Sequence, residues 1–256
     1  MRITVLGCGG SGGVPLIGND WGRCDPSNPR NRRRRSSILV EQGGASILVD
    51  MGPDLREQLL TADVRRVDAI LLTHEHADHL HGIDEVRSLN WLMKKGIEVY
   101  GDARTIEIMK DRFGYCFRTG STNFSYPVLL PHVVDGAFTV AGVPVQAFVQ
   151  DHGYSESLGY RFGRFAYSTD VVQIDPPGMA LLRDLDVWIV DATRREPHPV
   201  HAHLDRTLDW IADLKPGRAY LTHMNHTMDY DTLMAELPAG VEPAYDGLVI
   251  EVPDAA

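Results

Sequence analysis

No run of about 18 apolar residues, the length that a membrane-spanning helix needs, occurs in this 256-residue sequence. Its start, Met1-Arg2-Ile3-Thr4-Val5-Leu6-Gly7, reads as a first strand and lacks the composition of a secretory leader. A cytoplasmic protein with no membrane partner is therefore expected. Cysteine is scarce: Cys8, Cys24 and Cys116 are odd in number and form no Cys-x-x-Cys pair, which excludes a disulfide framework and fits a reducing compartment. Positive charge is also short. With 25 basic against 35 acidic side chains the formal charge is −10, a field that repels polyanions and argues against a large nucleic-acid partner. Internal repeats, low-complexity tracts and composition breaks are all missing, so one domain over residues 1–256 is expected, and 43% hydrophobic content suffices for a large core.

What the chain does have is a series of short apolar runs rich in Val, Ile and Leu, bounded by Gly, Pro and Asp. Strands are expected over 3–6, 37–40, 46–50, 69–72, 138–140, 143–149, 159–162, 165–168, 187–190, 219–222 and 248–252. Glycine-bearing turns at Ala141-Gly142 and Gly163-Arg164 suit hairpins. Helices are expected over 53–60, 82–95, 103–113, 204–214 and 231–237, which makes an α/β sandwich.

Eleven histidines exceed background, and their spacing carries the chemistry. His74, His76, Asp78 and His79 fall within six residues directly after the apolar segment 69–72, where a strand opening into a loop can aim several side chains at one point. Imidazole and carboxylate are ligands for borderline divalent ions such as Zn²⁺ or Mn²⁺, and a catalytic ion needs an incomplete protein shell. Further ligands must come from elsewhere, and His152, Asp170 and His223 each stand just after an apolar strand.

The string Thr73-His74-Glu75-His76-Ala77-Asp78-His79 is similar to the signature of the metallo-β-lactamase superfamily, whose later His, Asp and His follow here in order. The likeness runs from Met1 to about Val252. It implies an αββα sandwich of the metallo-β-lactamase type, with one divalent ion on His74, His76 and His152, a second on Asp78, His79 and His223, and Asp170 bridging both. His76, where oxygen-reducing relatives carry Glu, implies hydrolysis. Three stretches, 6–15, 31–37 and 221–226, resemble the phosphodiesterase branch, in particular its phosphoribosyl cyclic phosphodiesterases. In those relatives three cysteines and a histidine hold a structural zinc. Here the matching positions read Asn19, Trp21, Cys24 and His226, too few ligands for a closed tetrahedral site. The loop is expected to be held by Trp21 packing and Asn19 hydrogen bonding instead, with Asp20 as a weaker ligand in reserve.

The resemblance implies cleavage of a small cyclic or nucleotide-like phosphodiester by a hydroxide between two metal ions, with Asp78 and Asp170 holding it in line. A histidine must then protonate the leaving alkoxide. His198, His201 and His203 are available, and the branch's placement of this residue just before a helix points to His201 or His203. Asp50 and Thr73 are candidates to orient a ligand histidine. Arg34 and Arg35, in the run Arg32 to Arg35, could meet a substrate phosphate. The glycine cluster 7–13 lacks the Walker lysine and reads as a tight turn beneath the site. Thioester or lactam hydrolysis is the competing reaction for the same metals, and would need an acyl-binding pocket. A homodimer is compatible with all of this.

Overall fold

In the computed structural model, which describes residues 1–118 and 127–253, the apolar segments pair largely in sequence order. β1 (Arg2–Gly7), β2 (Ser37–Gln42), β3 (Ala45–Val49), β4 (Ala69–Leu71), β5 (Ile97–Gly101) and β6 (Leu129–Val133) lie side by side in a first sheet. β7 (Ala137–Val140), β8 (Val143–Asp151), β9 (Glu156–Phe162), β10 (Phe165–Ser168), β11 (Val187–Asp191), β12 (Arg218–Thr222) and β13 (Val241–Pro243) repeat the arrangement in a second. β14 (Val249–Glu251) returns to pair with β1.

Each sheet begins antiparallel and ends parallel: β3 to β6 in the first and β10 to β13 in the second run in one direction. Parallel neighbours need a crossover, and helices supply most of them. α1 (Leu55–Thr61) joins β3 to β4, and α2 (Ala77–Leu80) with α3 (Val86–Met93) joins β4 to β5. α4 (Ala103–Arg112) leads to β6, α5 (Pro176–Leu181) to β11, α6 (Leu204–Leu214) to β12 and α7 (Tyr230–Glu236) to β13.

Strand periodicity sorts the core. Ile38, Val40, Ile47 and Val49 face the second sheet and pack with Tyr160, Phe162, Tyr167 and Val187. The alternate residues Leu39 and Leu48 face the other way, beneath Leu55, Leu89 and Ile106 of α1, α3 and α4. α6 and α7 bring Leu204, Ile211 and Leu233 to the larger cluster. Both faces of the strands are buried, which is why the strands read as unbroken apolar runs, and each such side chain stabilises the fold by roughly 1.5–3 kcal/mol. The result is the expected sandwich of two sheets between helical layers. No helix among the described residues is long and apolar enough to cross a membrane.

Three strands escape the sequence reading. β6 and β13 contain Pro131 and Pro243, and proline speaks against a central strand; both are edge strands, where a missing N–H costs no ladder bond. β5 is five residues between two helices, with an alternating pattern too short to stand out. The helix expected over 82–95 is split: a 3-10 turn, Ile83–Glu85, precedes α3, which stops where Lys94 turns left-handed at φ 57°. α5 was missed although Asp175 caps it and prolines open it.

One half-buried carboxylate ties the two ends of the chain together. Asp246 accepts from the N–H groups of Arg34 (2.8 Å) and Cys8 (3.2 Å), joining the link between β13 and β14 to the end of β1 and the arginine run. Burial raises its pKa to about 7 against the partial relief of these bonds and of the Arg34 charge. A carboxyl whose folded pKa exceeds its unfolded value near 4 stabilises the fold fully below that value and loses the contribution as pH rises through 7. The stability of wild-type protein relative to Asp246→Asn should therefore fall between pH 5 and pH 8. Urea unfolding at both pH values checks this; parallel stability curves for the two proteins would sink it.

Candidate metal centre

The ends of strands from both sheets meet on one edge. β3 delivers Asp50; β4 delivers Thr73, His74 and His76; β8 delivers His152, β10 Asp170, β11 Asp191 and β12 His223. The segment after β4 is only partly the expected loop, because Asp78 and His79 sit on the single turn of α2. That turn docks by backbone contacts: the N–H of Met51 donates to His79 O and the N–H of Gly82 to Met51 O, both at 2.8 Å. The approach needs glycine, since a Cβ at Gly52 would lie 2.0 Å from Asp78 O. Gly10, in the glycine cluster, runs under His223, with its Cβ position 3.5 Å from the ring.

The seven expected ligands converge in two sets, His74, His76 and His152, and Asp78, His79, Asp170 and His223, within each of which the donor atoms lie within 4.8 Å of one another. Asp170 divides its carboxylate between them. Oδ1 is 3.9 Å from His74 Nε2 and 3.6 Å from His152 Nε2, while Oδ2 is 3.0 Å from His79 Nε2 and 3.3 Å from His223 Nε2. The Nε2 atoms of His74, His79 and His223 are buried and make no hydrogen bond of good geometry. Buried polar atoms are rarely left so, and three aimed at one carboxylate fit a divalent cation.

The opposite ring nitrogen of most of these histidines is held. His79 Nδ1 contacts Asp50 Oδ2 at 2.7 Å, and Thr73 Oγ1 bridges Asp50 and His74 Nδ1 (3.0 Å). His152 Nδ1 donates to Val200 O at 2.7 Å, and His223 Nδ1 contacts Thr193 Oγ1 at 3.2 Å. These contacts fix the rings with Nε2 toward the centre. Asp50, Asp170 and His223 adopt left-handed backbone (φ 64°, 52° and 56°), which turns each side chain back over its strand end. Aspartate and histidine are among the non-glycine residues that enter this region most readily.

Charge follows the same division. Burial would raise the Asp170 carboxyl, yet the facing His223 and His79 hold it well below the usual range. Burial would depress His79, but Asp170, Asp78 and Asp50 push it well above its ordinary value, and His223 rises to about 9 against burial under the pull of Asp170. His74 and His152, buried with fewer carboxylates, are held down.

Of the proton-donor candidates, the geometry brings His201 to the centre and not His203. The His201 ring stands 4.9 Å from those of His152 and His223, and its Nδ1 is 3.2 Å from Asp191 Oδ2. His203 is the N-cap residue of α6 and belongs to none of the converging ligand sets. Asp191 was missed, although it closes β11 as Asp170 follows β10 and is itself followed by Ala192-Thr193; the strand-end rule that singled out Asp170 finds it. Arg34 corrects the sequence reading: its guanidinium donates to Thr61 Oγ1 and lines an outer cavity with Arg2, Arg65 and Arg66. Arg35 pairs with Asp54 at 3.2 Å. The buried member of the run, Arg33, donates to Met228 O (2.6 Å) and Asn225 O (3.2 Å) and contacts Cys24 Sγ at 3.9 Å. Trp21 Nε1 donates to Asn19 Oδ1 at 3.1 Å, as expected of that loop.

Three comparisons place this arrangement among known proteins. The model of the Beta-lactamase superfamily domain matches residues 45–224. A crystal structure of a new diphosphatase from the PhnP family superposes with a TM-score of 0.91 at 37% identity, over 98% of both chains. An octanoyltransferase of Porphyromonas gingivalis is 32% identical over 252 residues, 97% of this chain and 51% of that protein. A ribonuclease Z of Bradyrhizobium sp. is 33% identical over 144 residues, 53% of this chain and 46% of its own length. The chain thus spans about half the length of these two curated relatives. It belongs to the metallo-β-lactamase superfamily, and over nearly its whole length it is similar to a structure of the PhnP family.

Proposed function

We propose that the protein is a two-metal hydrolase of small phosphodiesters. The observation that supports it most is the division of the Asp170 oxygens between two sets of ligands. His74, His76 and His152 would hold one divalent cation, Asp78, His79 and His223 the other, and Asp170 both. When bound, Zn²⁺ or Mn²⁺ supplies Lewis acidity toward a phosphoryl oxygen and lowers the pKa of coordinated water. The chain's own residues do the rest. His76, the exposed ligand, opens the centre to substrate. Asp191 accepts from His201 Nδ1, which leaves Nε2 to deliver a proton to the departing oxygen. The net charge of −10 favours a small substrate over RNA. A diphosphate is the second reading, favoured by the PhnP-family diphosphatase, and differs only in the leaving group. The octanoyltransferase name belongs to a protein about twice as long and supports no acyl reading here.

The test is hydrolysis of bis-p-nitrophenyl phosphate, 2′,3′-cyclic AMP and a nucleoside diphosphate by wild type and His201→Ala, each loaded with Mn²⁺ or Zn²⁺. p-Nitrophenolate leaves without a proton, whereas a ribose alkoxide does not. His201→Ala should lose about 10²-fold in kcat on the cyclic nucleotide, far less on the p-nitrophenyl ester, and keep its metal content. Equal losses on both would remove His201 as proton donor. No turnover of any of these by metal-loaded wild type would overturn the reading in favour of thioester or lactam hydrolysis.

A further inference from the structure

We propose that Arg194, with His198 beside it, is a specificity-determining anion subsite at the rim of the metal centre, built for a second, non-scissile phosphate of the substrate. This rests on the phosphodiesterase reading above.

Arg194 leaves the centre directly. The preceding Thr193 contacts His223 Nδ1 at 3.2 Å and donates to Asp191 Oδ1 at 2.8 Å. The backbone here is pinned on three sides. Thr193 N–H donates to Ala202 O (3.1 Å), Leu204 N–H to Arg194 O (2.8 Å) and Asn225 N–H to Thr193 O (2.9 Å). The fold therefore fixes the point from which this side chain departs.

That side chain has no partner among the described residues. Arg194 Nε is buried without a hydrogen bond, whereas its neighbour Arg195 pairs with Glu236 at 2.7 Å. In a chain with ten more acidic than basic side chains, a half-buried guanidinium with no carboxylate has gone unneutralised where neutralisation was plentiful. His198 repeats the pattern, since its Nδ1 is also buried and unpaired. Its ring stacks on His201 at 5.3 Å, and burial together with the Arg194 charge holds its pKa below the ordinary value. A guanidinium and an imidazole four residues apart on this segment thus each keep a buried nitrogen without a partner. The guanidinium fork matches two phosphate oxygens, and bonds to an anion are the strong kind.

Position says which part of the substrate is met. His198 stacks on His201, whose ring stands 4.9 Å from those of His152 and His223, so His198 adjoins the proposed proton donor. With His201 as proton donor, an anion held by Arg194 and His198 would be carried on the leaving-group part of the substrate. The sequence reading gave Arg34 and Arg35 a contact to a substrate phosphate; Arg34 donates to Thr61 Oγ1 and Arg35 pairs with Asp54.

The test compares 2′,3′-cyclic AMP with and without a 5′-phosphate, in calorimetric binding and in turnover, for wild type, Arg194→Ala and Arg194→Lys. Wild type should favour the 5′-phosphorylated nucleotide by about tenfold or more, expressed in Kd and KM and not in kcat. In Arg194→Ala the ratio between the two nucleotides should fall to about one, and Arg194→Lys, with the charge but not the fork, should fall between. Circular dichroism establishes that the variants fold. Equal binding of both nucleotides by wild type, or a preference that survives in Arg194→Ala, overturns the subsite whether or not turnover occurs. Absence of turnover with the binding preference intact strikes the phosphodiesterase reading and leaves the subsite standing.

Discussion

Asp170→Asn should lose hydrolysis by about 10³-fold or more while remaining folded. Asparagine is the substitution to use because position 170 has φ 52°, a conformation that Asn adopts readily, and because the amide keeps a partner for Thr169 Oγ1, now 2.9 Å from Oδ2. What it removes is the negative charge between the two ligand sets. On the proposed two-metal reading, losing one shared anionic ligand would deprive both cations of charge, and several kcal/mol of transition-state stabilisation would go with it; about 4 kcal/mol corresponds to that 10³-fold. Metal content measured alongside turnover should fall from two ions toward one or fewer per chain. If Asp170→Asn kept two tightly held ions and a tenth of wild-type turnover, the two-metal reading of this carboxylate would be wrong.

Asp50 gives the second large effect, through a hydrogen bond and not through contact with metal. It is fully buried, its Oδ2 is 2.7 Å from His79 Nδ1, and its Oδ1 accepts the Thr73 N–H at 2.8 Å. The carboxylate holds the His79 proton on Nδ1, which frees Nε2 to ligate. In Asp50→Asn the amide NH₂ can face His79 while the oxygen keeps Thr73. The imidazole must then take the other tautomer, with its proton on the nitrogen that should bind metal. Metal affinity should drop by about 10–100-fold, visible in competition with a chromogenic chelator. Asp50→Ala should be worse, leaving the Thr73 N–H and the His79 ring buried without a partner, and should cost about 3–5 kcal/mol of stability. Wild-type metal affinity in Asp50→Asn would show that His79 is oriented by packing alone.

Both of these residues were visible in the sequence. Asp170 and Asp50 both follow apolar runs and both are aspartates in left-handed turns, so strand-end position pointed to both. The same position pointed equally to Asp191, which went unnoticed because its partner His201 is ten residues away across a loop. Arg34 was misjudged for the opposite reason. Its charge and neighbours suited phosphate, but strand pairing sends alternate side chains to opposite faces, and nothing in the run Arg32 to Arg35 says which is which. Edge strands β6 and β13 stayed hidden because proline, decisive against a central strand, is tolerated where one side has no ladder.

The sequence by itself determined the ligand chemistry and the layered fold. Four ligands lie within six residues, so their convergence needs only one strand end and one helical turn, and apolar runs buried on both faces leave little choice but stacked sheets. The tertiary structure alone decided which of His201 and His203 faces the centre, where each arginine goes, and that Asp170 gives one oxygen to each ligand set. Those outcomes depend on contacts between residues tens to hundreds of positions apart, fixed by sheet order and by the direction in which each strand end turns, and no local pattern encodes them.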